Sequence, residues 1–331
     1  YLFYFLMAQK PLFIKQGEGG AQPNISKEKI VSTLMPVPPL EEQRRIVVML
    51  GQIFPIIDAY SKCKTELDLC NATFPERLKK SILQEAVQGK LVPQDPSDEP
   101  AEALLERIRV EKQRLIKEGK IKKDKHESVI FRRDNSHYEK RGSEVVCIDD
   151  EIPFDIPELW SWCRLNELCT KIGAGSTPTG GKTIYVPEGI KFIRSQNVYN
   201  DGLKLNDISY ITEEINAKKK GSIVRSKDIL LNITGGSIGR CAVVPDDFDI
   251  ANVNQHVMII RLVEPKMRHW IHTILISEYI QNLIMDVQVG VSREGLSATK
   301  LMNFLIPVPP ISEQNRILDF CSNISNRLST L

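Results

Sequence analysis

The sequence has little of what marks membrane, secreted or metal-binding proteins. Only 7% of its 331 residues are aromatic, and basic and acidic residues nearly balance at a net charge of +2. No run approaches the ~18 consecutive apolar residues of a membrane span. Seven cysteines form no Cys-x-x-Cys pair, which argues against a disulfide framework and against a zinc site. We therefore expect a folded cytoplasmic protein with free thiols and without a membrane partner.

Enzyme motifs are also missing. Gly181-Lys182-Thr183 resembles the end of a phosphate-binding loop, but the glycine required five residues earlier is Ser176. Val37-Pro38-Pro39-Leu40 and Val308-Pro309-Pro310-Ile311 lack the Asn or Asp and the aromatic ring of the amino-methyltransferase motif. The five histidines are scattered. The sequence therefore predicts no catalytic centre, no metal site and no cofactor.

An ungapped internal repeat organises the chain. Residues 35–47 read MPVPPLEEQRRIV and residues 306–318 read IPVPPISEQNRIL, an offset of 271 residues. The same register holds upstream, where Ile25-Ser26 matches Leu296-Ser297. Since a Pro-Val-Pro-Pro run is extended and ends a domain, each copy predicts a junction between a domain and a following helix.

The repeat divides the chain into five parts. The first looks like the tail of a domain whose front is missing, since the chain starts at Tyr1 rather than at a methionine, and the last like the start of a second spacer helix. The predicted parts are a first-domain tail (1–39), a helical spacer (40–118), a mobile polar linker with eight basic residues (119–149), a complete second domain (150–310) and a second spacer helix (311–331).

Apolar residues three, four and seven apart after Pro39 predict a long amphipathic helix over 40–88. Pro55 and Pro75 predict kinks or a break, and Gly89 a stop. A second helix is predicted over 98–118, capped by Ser97 or Asp98 and ended by Gly119. Because a single apolar stripe must be buried against something, two such repeats suggest an antiparallel pair of helices that holds two domains apart. The alternative is an ordinary core helix of one domain.

Residues 150–310 alternate short β-like runs with Gly and Asn turns. The runs at 191–194, 228–233 and 256–261 predict strands, and a helix is predicted near 267–285. The expected fold class is mixed α+β, a strand-rich recognition domain joined to long helices that form an antiparallel, coiled-coil-like spacer.

Charge is uneven within this domain. Residues 164–240 carry twelve basic and seven acidic residues, which favours a face that binds a polyanion, although a solvated lysine-rich face has the same composition. The loops there hold side chains suited to base edges and phosphates, because Arg pairs with guanine and Gln or Asn with adenine. The candidate DNA contacts are Ser176, Thr177, Arg194, Ser195, Gln196, Asn197, Lys218, Lys219, Lys220, Thr234, Ser237, Arg240, Asn252, Asn254 and Gln255.

Taken together, these features resemble the DNA-specificity subunit of type I restriction–modification systems. The resemblance rests on the doubled Pro-x-Pro-Pro-[Leu/Ile]-x-Glu-Gln-x-Arg-Ile junction, on Ser81–Leu91 at the end of the first helix, on the Gly-Ser-Thr-Pro loop at 175–178 and on Gly236–Arg240. It covers nearly the whole chain.

The resemblance implies a non-catalytic subunit that reads half of a bipartite site in double-stranded DNA. It also implies that the helices set the gap between half-sites and dock methyltransferase (modification) subunits, which recruit the restriction subunit. Two alternatives stay open from the residues alone. They are a methyltransferase or nuclease acting by itself, and a coiled-coil interaction protein that does not bind DNA.

Overall fold

A computed structural model describes residues 1–17, 24–123, 127–286 and 295–328. They group into two units, Tyr1–Pro75 and Glu76–Leu331, which are treated separately below. The α-helices of the described residues are α1 (Leu2–Gln16), α2 (Lys27–Val31), α3 (Leu40–Val87), α4 (Ala101–Lys117), α5 (Glu213–Lys218), α6 (Arg268–Ile276), α7 (Glu278–Asp286), α8 (Ala298–Met302) and α9 (Ile311–Leu328).

The described strands all lie in the second unit and form five small sheets, a mixed α+β architecture as expected. Their orders are β1-β2-β3, β10-β13-β6-β9, β12-β11-β14-β5, β15-β4 and β7-β8. The strands are β1 (Ser128–Arg133), β2 (Ser136–Arg141), β3 (Glu144–Cys147), β4 (Ser161–Arg164), β5 (Cys169–Ala174), β6 (Ile190–Ile193), β7 (Val198–Tyr199), β8 (Gly202–Leu203), β9 (Ser209–Ile211), β10 (Ile223–Val224), β11 (Ile229–Asn232), β12 (Cys241–Val243), β13 (Ala251–Val253), β14 (Val257–Leu262) and β15 (Leu305–Val308).

The antiparallel sheet β12-β11-β14-β5 is the centre of the second unit because both of its faces are covered. Successive side chains of a strand point to opposite faces. Ile229 and Leu231 accordingly join the larger core, which also contains Trp160 and Trp270. Leu230 joins the smaller core beneath β10-β13-β6-β9. Burial on both faces explains the continuous apolar runs that predicted β11 and β14.

Helix α3 runs unbroken from Leu40 to Val87, through Pro55 and Pro75. The predicted helix over 40–88 is therefore present, and neither proline ends it. Among the described residues, α3 is also the one helix long and apolar enough to cross a membrane, with a mean hydropathy of 1.3 over an 18-residue window that is not buried within the chain. Helix α3 meets this criterion by length and composition only. A helix that packs against another helix along its length has the same exposed apolar side chains.

The end of α3 is fixed in the core of the second unit. Ala86 and Val87 are fully buried there. Gly89 has a φ of +71°, and a Cβ at that position would lie 2.4 Å from a ring carbon of Pro157. Only glycine fits both the left-handed backbone and the close approach, so the predicted stop at Gly89 has a packing reason.

Helix α4 begins three residues later than predicted. It starts at Ala101 after Pro100, with no side-chain cap. Asp98 is instead engaged by α9: it accepts hydrogen bonds from Ser312 at 2.7 Å and from Arg316 at 2.7 Å. The capping residue expected at the start of α4 therefore holds the start of another helix.

The polar linker predicted over 119–149 differs most from the structure, which has three strands within it. Residues Asp134 and Asn135 both have positive φ, which makes the two-residue turn between β1 and β2. Phe131 stacks on Tyr138 across that pair. The sheet is tied to the domain through Glu139, which is buried and ion-paired with Arg164 at 2.8 Å. Residues 124–126 of the predicted linker lie outside the described part.

The helix predicted over 267–285 is two helices. Backbone at Ser277 is extended, and its hydroxyl donates to the Ile274 carbonyl at 2.6 Å. This bond ends α6 with a buried side chain, and α7 begins at Glu278.

The two copies of the repeat have matching local structure. Helices α2 and α8 both start after a serine, Ser26 or Ser297, whose hydroxyl accepts from the backbone three residues on. Gln43 and Gln314 each donate to a proline carbonyl five residues back, at 2.9 Å. Their surroundings differ, since Val308 is fully buried in β15 whereas its counterpart Val37 is 70% exposed.

Candidate DNA interface

Three loops of the second unit meet at one end of the central sheet. Because β5 and β14 are antiparallel, the loop that follows Ala174 lies beside the loop that precedes Val257. Strand β11 pairs with β14 so that Asn232 is opposite Val257, which brings the loop after β11 to the same end. We call residues 175–178, 233–240 and 254–256 the loop cluster.

Side-chain hydrogen bonds join the three loops of the loop cluster. The backbone amide of Thr177 donates to Gln255 Oε1 at 3.1 Å, and the Thr177 hydroxyl bonds the same oxygen. Gln255 Nε2 lies 3.1 Å from His256 Nε2, and His256 Nδ1 lies 2.6 Å from the hydroxyl of Thr234. Since Thr177 and Gln255 are exposed, the network presents polar groups on the surface.

Gly175 permits this arrangement. A Cβ there would lie 1.9 Å from the carbonyl oxygen of Val253, too close for any side chain. Its amide donates to the carbonyl of Val257 at 3.2 Å. The first loop therefore packs directly on the backbone of the third, and Gly175 is required for this contact.

Lys219 extends the loop cluster. Its Nζ donates to the Ser176 hydroxyl at 2.6 Å. Lys218 is exposed and pairs with Glu214 at 2.6 Å, while Lys220 is exposed in the turn that follows α5. The predicted lysine run thus places one cation on the loop cluster and two on the neighbouring surface.

Two predicted contact residues are internal anchors. Asn197 is 2% exposed, accepts from the Arg194 amide and donates to the Lys204 carbonyl. Asn252 is fully buried and bonds Ser222 and Asn216. Both side chains are buried, so neither can contact a base. The sequence alone could not distinguish these buried amides from the exposed Gln255, because an amide side chain that forms a turn and one that reads a base are the same residue types.

The Arg194 region is also partly internal. Arg194 Nη2 donates to the Asp207 carbonyl at 3.1 Å. The carbonyl of Ser195 accepts from Asn232 Nδ2 at 2.8 Å, and that amide also donates to the hydroxyl of Ser237. Gln196 is exposed between them. Of the four predicted residues at 194–197, Gln196 is therefore the best presented for contact.

The remaining predicted DNA contacts also include both a buried side chain and one at the surface. Asn254 is 7% exposed and its Oδ1 accepts from the His256 amide at 3.1 Å, so it shapes the third loop. Arg240 lies over the ring of Tyr199, 4.6 Å from its centroid. Lys204 lies over the same ring at 4.2 Å. Tyr199 and Lys204 were not predicted, although an aromatic residue near cations in the basic stretch was a usable signal.

Charged side chains also lie inside the domain. Inside, Arg261 makes two 2.7 Å contacts with the buried carboxylate of Asp228. Burial and the nearby Arg261 lower the pKa of Lys171. Within the described ranges, no three His, Cys, Asp or Glu side chains form a group that could hold a metal ion.

Comparison with known proteins gives a consistent family. The family model for the type I restriction modification DNA specificity domain matches residues 1–68 and 157–331. The specificity subunit of the type I restriction enzyme EcoAI of Escherichia coli is 24% identical over 367 residues, covering 96% of this chain and 58% of that subunit. The EcoEI specificity subunit of the same organism is 45% identical over 103 residues, which is 31% of this chain and 14% of the relative.

Among solved structures, the HsdS subunit of Thermoanaerobacter tengcongensis is similar at a TM-score of 0.44 and 18% identity, covering 99% of this chain and 63% of that one. This chain therefore spans less than two thirds of the length of the full-length relatives it matches. The family model covers well over half of the residues, including both copies of the repeated junction. The chain belongs to the family of type I restriction–modification DNA specificity domains.

Proposed function

We propose that this chain reads DNA sequence for a type I restriction–modification complex and has no catalytic role of its own. Its second unit reads one half of a bipartite target in double-stranded DNA, in the cytoplasm. The observation that carries the proposal is the loop cluster, where three loops from separate parts of the sequence present linked polar side chains at one end of the sheet β12-β11-β14-β5. Family membership supports the same reading.

Base recognition is assigned to the exposed members of the loop cluster and its neighbours. Gln255 and Gln196 carry amides of the kind that pair with adenine in the major groove. Ser176, Thr177, Lys219 and Lys220 are suited to phosphate oxygens, which position the protein without reading sequence. Asn197, Asn252 and Asn254 are left out because they hold the loops from inside.

Docking of methyltransferase subunits, and of a restriction subunit through them, is assigned to the long helices. Helix α3 supports this assignment because Met49, Ile56, Tyr60 and Leu67 are at least half exposed along it. Large exposed apolar side chains on a long helix favour a protein partner. Charge reversal on the polar face of α3 that left assembly intact would argue against this surface.

Three experiments test the proposal. Sequencing of methylated bases in cells with and without the gene should show loss of one bipartite adenine mark. Incubating the purified chain with duplex DNA and a labelled methyl donor should give no methylation, whereas turnover would identify an enzyme acting alone. Binding of a random duplex that weakens with salt would separate the proposal from a coiled-coil protein that does not bind DNA.

A further inference from the structure

A cleft of 660 Å³ lies within the second unit, beside the loop cluster. It is bounded by the last turns of α3, by the hairpin β7-β8, by Arg240 and by α9. Four cations line it: Lys79, Lys80, Lys204 and Arg240. Two carboxylates, Glu76 and Asp201, share the lining, so the cationic cleft carries an excess of two positive charges.

This excess is local. The chain as a whole has a net charge of only +2. A second groove of similar size, 740 Å³, has the opposite character, since Glu102, Asp149, Asp155 and Glu158 line it together with one arginine, Arg132. Concentration of cations in one cleft of a nearly neutral chain points to an anionic ligand.

Tyr199 holds two of the cations in place. Lys204 Nζ and Arg240 Cζ lie 4.2 Å and 4.6 Å from the centre of its ring. Both therefore sit within about 9 Å of each other, where like charges repel. An anion placed between them would relieve that repulsion, and the ring keeps both side chains ordered before it arrives.

The carboxylates that share the cleft bind these cations weakly. Lys79 pairs with Glu76 at 3.3 Å and Lys204 with Asp201 at 3.6 Å, both within three residues on exposed surface. Among the described ion pairs, neither Lys80 nor Arg240 has a carboxylate partner. Exposed pairs of this kind exchange readily for a better ligand.

The position of the cleft identifies the anion. Arg240 is the last residue of the loop that begins at Ile233 and carries Thr234, which bonds His256 in the loop cluster. A duplex read by the loop cluster continues past this loop, and its charge is in its phosphates. We propose that the cationic cleft binds phosphates of the DNA backbone adjacent to the bases that the loop cluster reads, an inference that rests on the proposed function.

The test uses the full chain and a random-sequence duplex, for which phosphate contacts dominate. Each lost phosphate contact lowers the slope of log affinity against log salt by about 0.9. The double variant Lys80→Gln/Lys204→Gln should therefore reduce the slope by about 2 and weaken binding by about tenfold or more at ~0.1 M salt. Both side chains are exposed or at the surface, and thermal unfolding checks that the variants fold.

The matched control is Lys117→Gln/Lys123→Gln, which removes the same charge from exposed lysines outside the cleft. Its slope should stay that of the wild type. An unchanged slope in the cleft variant, or an equal fall in the control, would overturn the assignment of the cleft. Failure of the wild-type chain to bind any duplex would instead overturn the proposed function, and the cleft assignment with it.

Discussion

The indole Nε1 of Trp160 donates a 2.9 Å hydrogen bond to the carboxylate of Glu313, in the first turn of α9. Gln94 Nε2 donates to the other carboxylate oxygen. Asp98 holds Ser312 and Arg316 on either side. The chain segment that follows α3 therefore fastens the start of α9, whereas Glu42, the repeat equivalent of Glu313, is exposed.

Glu313 and Glu42 give a paired test of this fastening. Burial raises the pKa of Glu313, although the hydrogen bonds from Trp160 and Gln94 oppose the rise. A raised carboxyl pKa means that the folded chain binds the proton more tightly, so its stability falls as pH increases from the unfolded pKa through the folded one. Glu313→Gln keeps an acceptor for Trp160 without the charge, and we expect it to be at least as stable as the wild type at pH 7.

Glu313→Ala should behave differently because it leaves the Trp160 donor buried without an acceptor. We expect a loss of about 1–3 kcal/mol in unfolding free energy. Glu42→Gln, at the exposed copy, should change stability by less than about 0.5 kcal/mol. Urea unfolding at pH 7 measures all three variants, and a loss in Glu313→Ala no larger than the change in Glu42→Gln would contradict the assignment.

Glu139 anchors the three-stranded sheet to the domain through Arg164. Both side chains are less than 10% exposed, and the contact is 2.8 Å. Glu139→Gln should lower the unfolding free energy by about 3 kcal/mol because a buried arginine loses its main counter-charge. Glu144→Gln, on the exposed strand of the same sheet, is the control and should have little effect.

The ion pair between Glu139 and Arg164 also makes the stability of the domain depend on pH. Burial alone would raise the pKa of Glu139, but hydrogen bonds from Arg164 and Arg141 outweigh it and lower the pKa to about 2. The stabilisation is therefore complete above the unfolded value of about 4.3 and is lost as pH falls from there toward 2. Because other carboxylates such as Asp98 also have lowered pKa values, unfolding measured between pH 6 and pH 3 should show a steeper loss of stability in the wild type than in Glu139→Gln.

Gln255 and Asn252 separate recognition from structure. Gln255→Ala removes an exposed amide and should relax base preference at one position by about 1–3 kcal/mol without loss of stability. Asn252→Ala removes a fully buried amide that bonds four partners and should destabilise the domain by about 1–3 kcal/mol. Selection of bound sequences from a random pool, with thermal unfolding in parallel, tests both, and a stable Asn252→Ala with altered preference would reverse the assignments.

The labelling rate of each cysteine measures how exposed that part of the chain is. Cys63, Cys70 and Cys147 are exposed, whereas Cys163, Cys169 and Cys241 are buried. Burial raises the pKa of Cys169 to about 12. A maleimide should therefore label the exposed three rapidly and the buried three only after unfolding. If methyltransferase subunits dock on α3, their addition should slow labelling of Cys63 and Cys70 but not of Cys147.

Comparison of distant segments predicted the repeat, whereas local sequence signals predicted the extent of α3 and the stops at Gly89 and Gly119, because these depend on residues close in the chain. The β1-β2-β3 sheet was missed because its strands are short and charged. Its stabilising ion pair joins Glu139 to Arg164, and no sequence pattern predicts a contact between these two residues. The turn at Asp134-Asn135 was the one local signal for it.

The loop cluster was predicted in outline but not in detail. Turn composition predicted contact loops at 173–178, 194–197, 234–240 and 252–256. Whether an amide faces solvent depends on strand pairing, which buries Asn252 in β13 and leaves Gln255 exposed. His256 links two loops, yet a single histidine in the sequence carries no sign of that role.

The matched junctions have a genetic consequence. From Ser26 to Ile46 and from Ser297 to Ile317, the chain has the same serine cap, the same glutamine bond and the same helix start. An in-frame crossover between the DNA segments that encode Pro36–Pro39 and Pro307–Pro310 would delete or duplicate 271 residues and still leave an intact boundary before the next helix. The number of globular domains on such a chain can thus change in one recombination event, while the boundary before the next helix keeps its sequence.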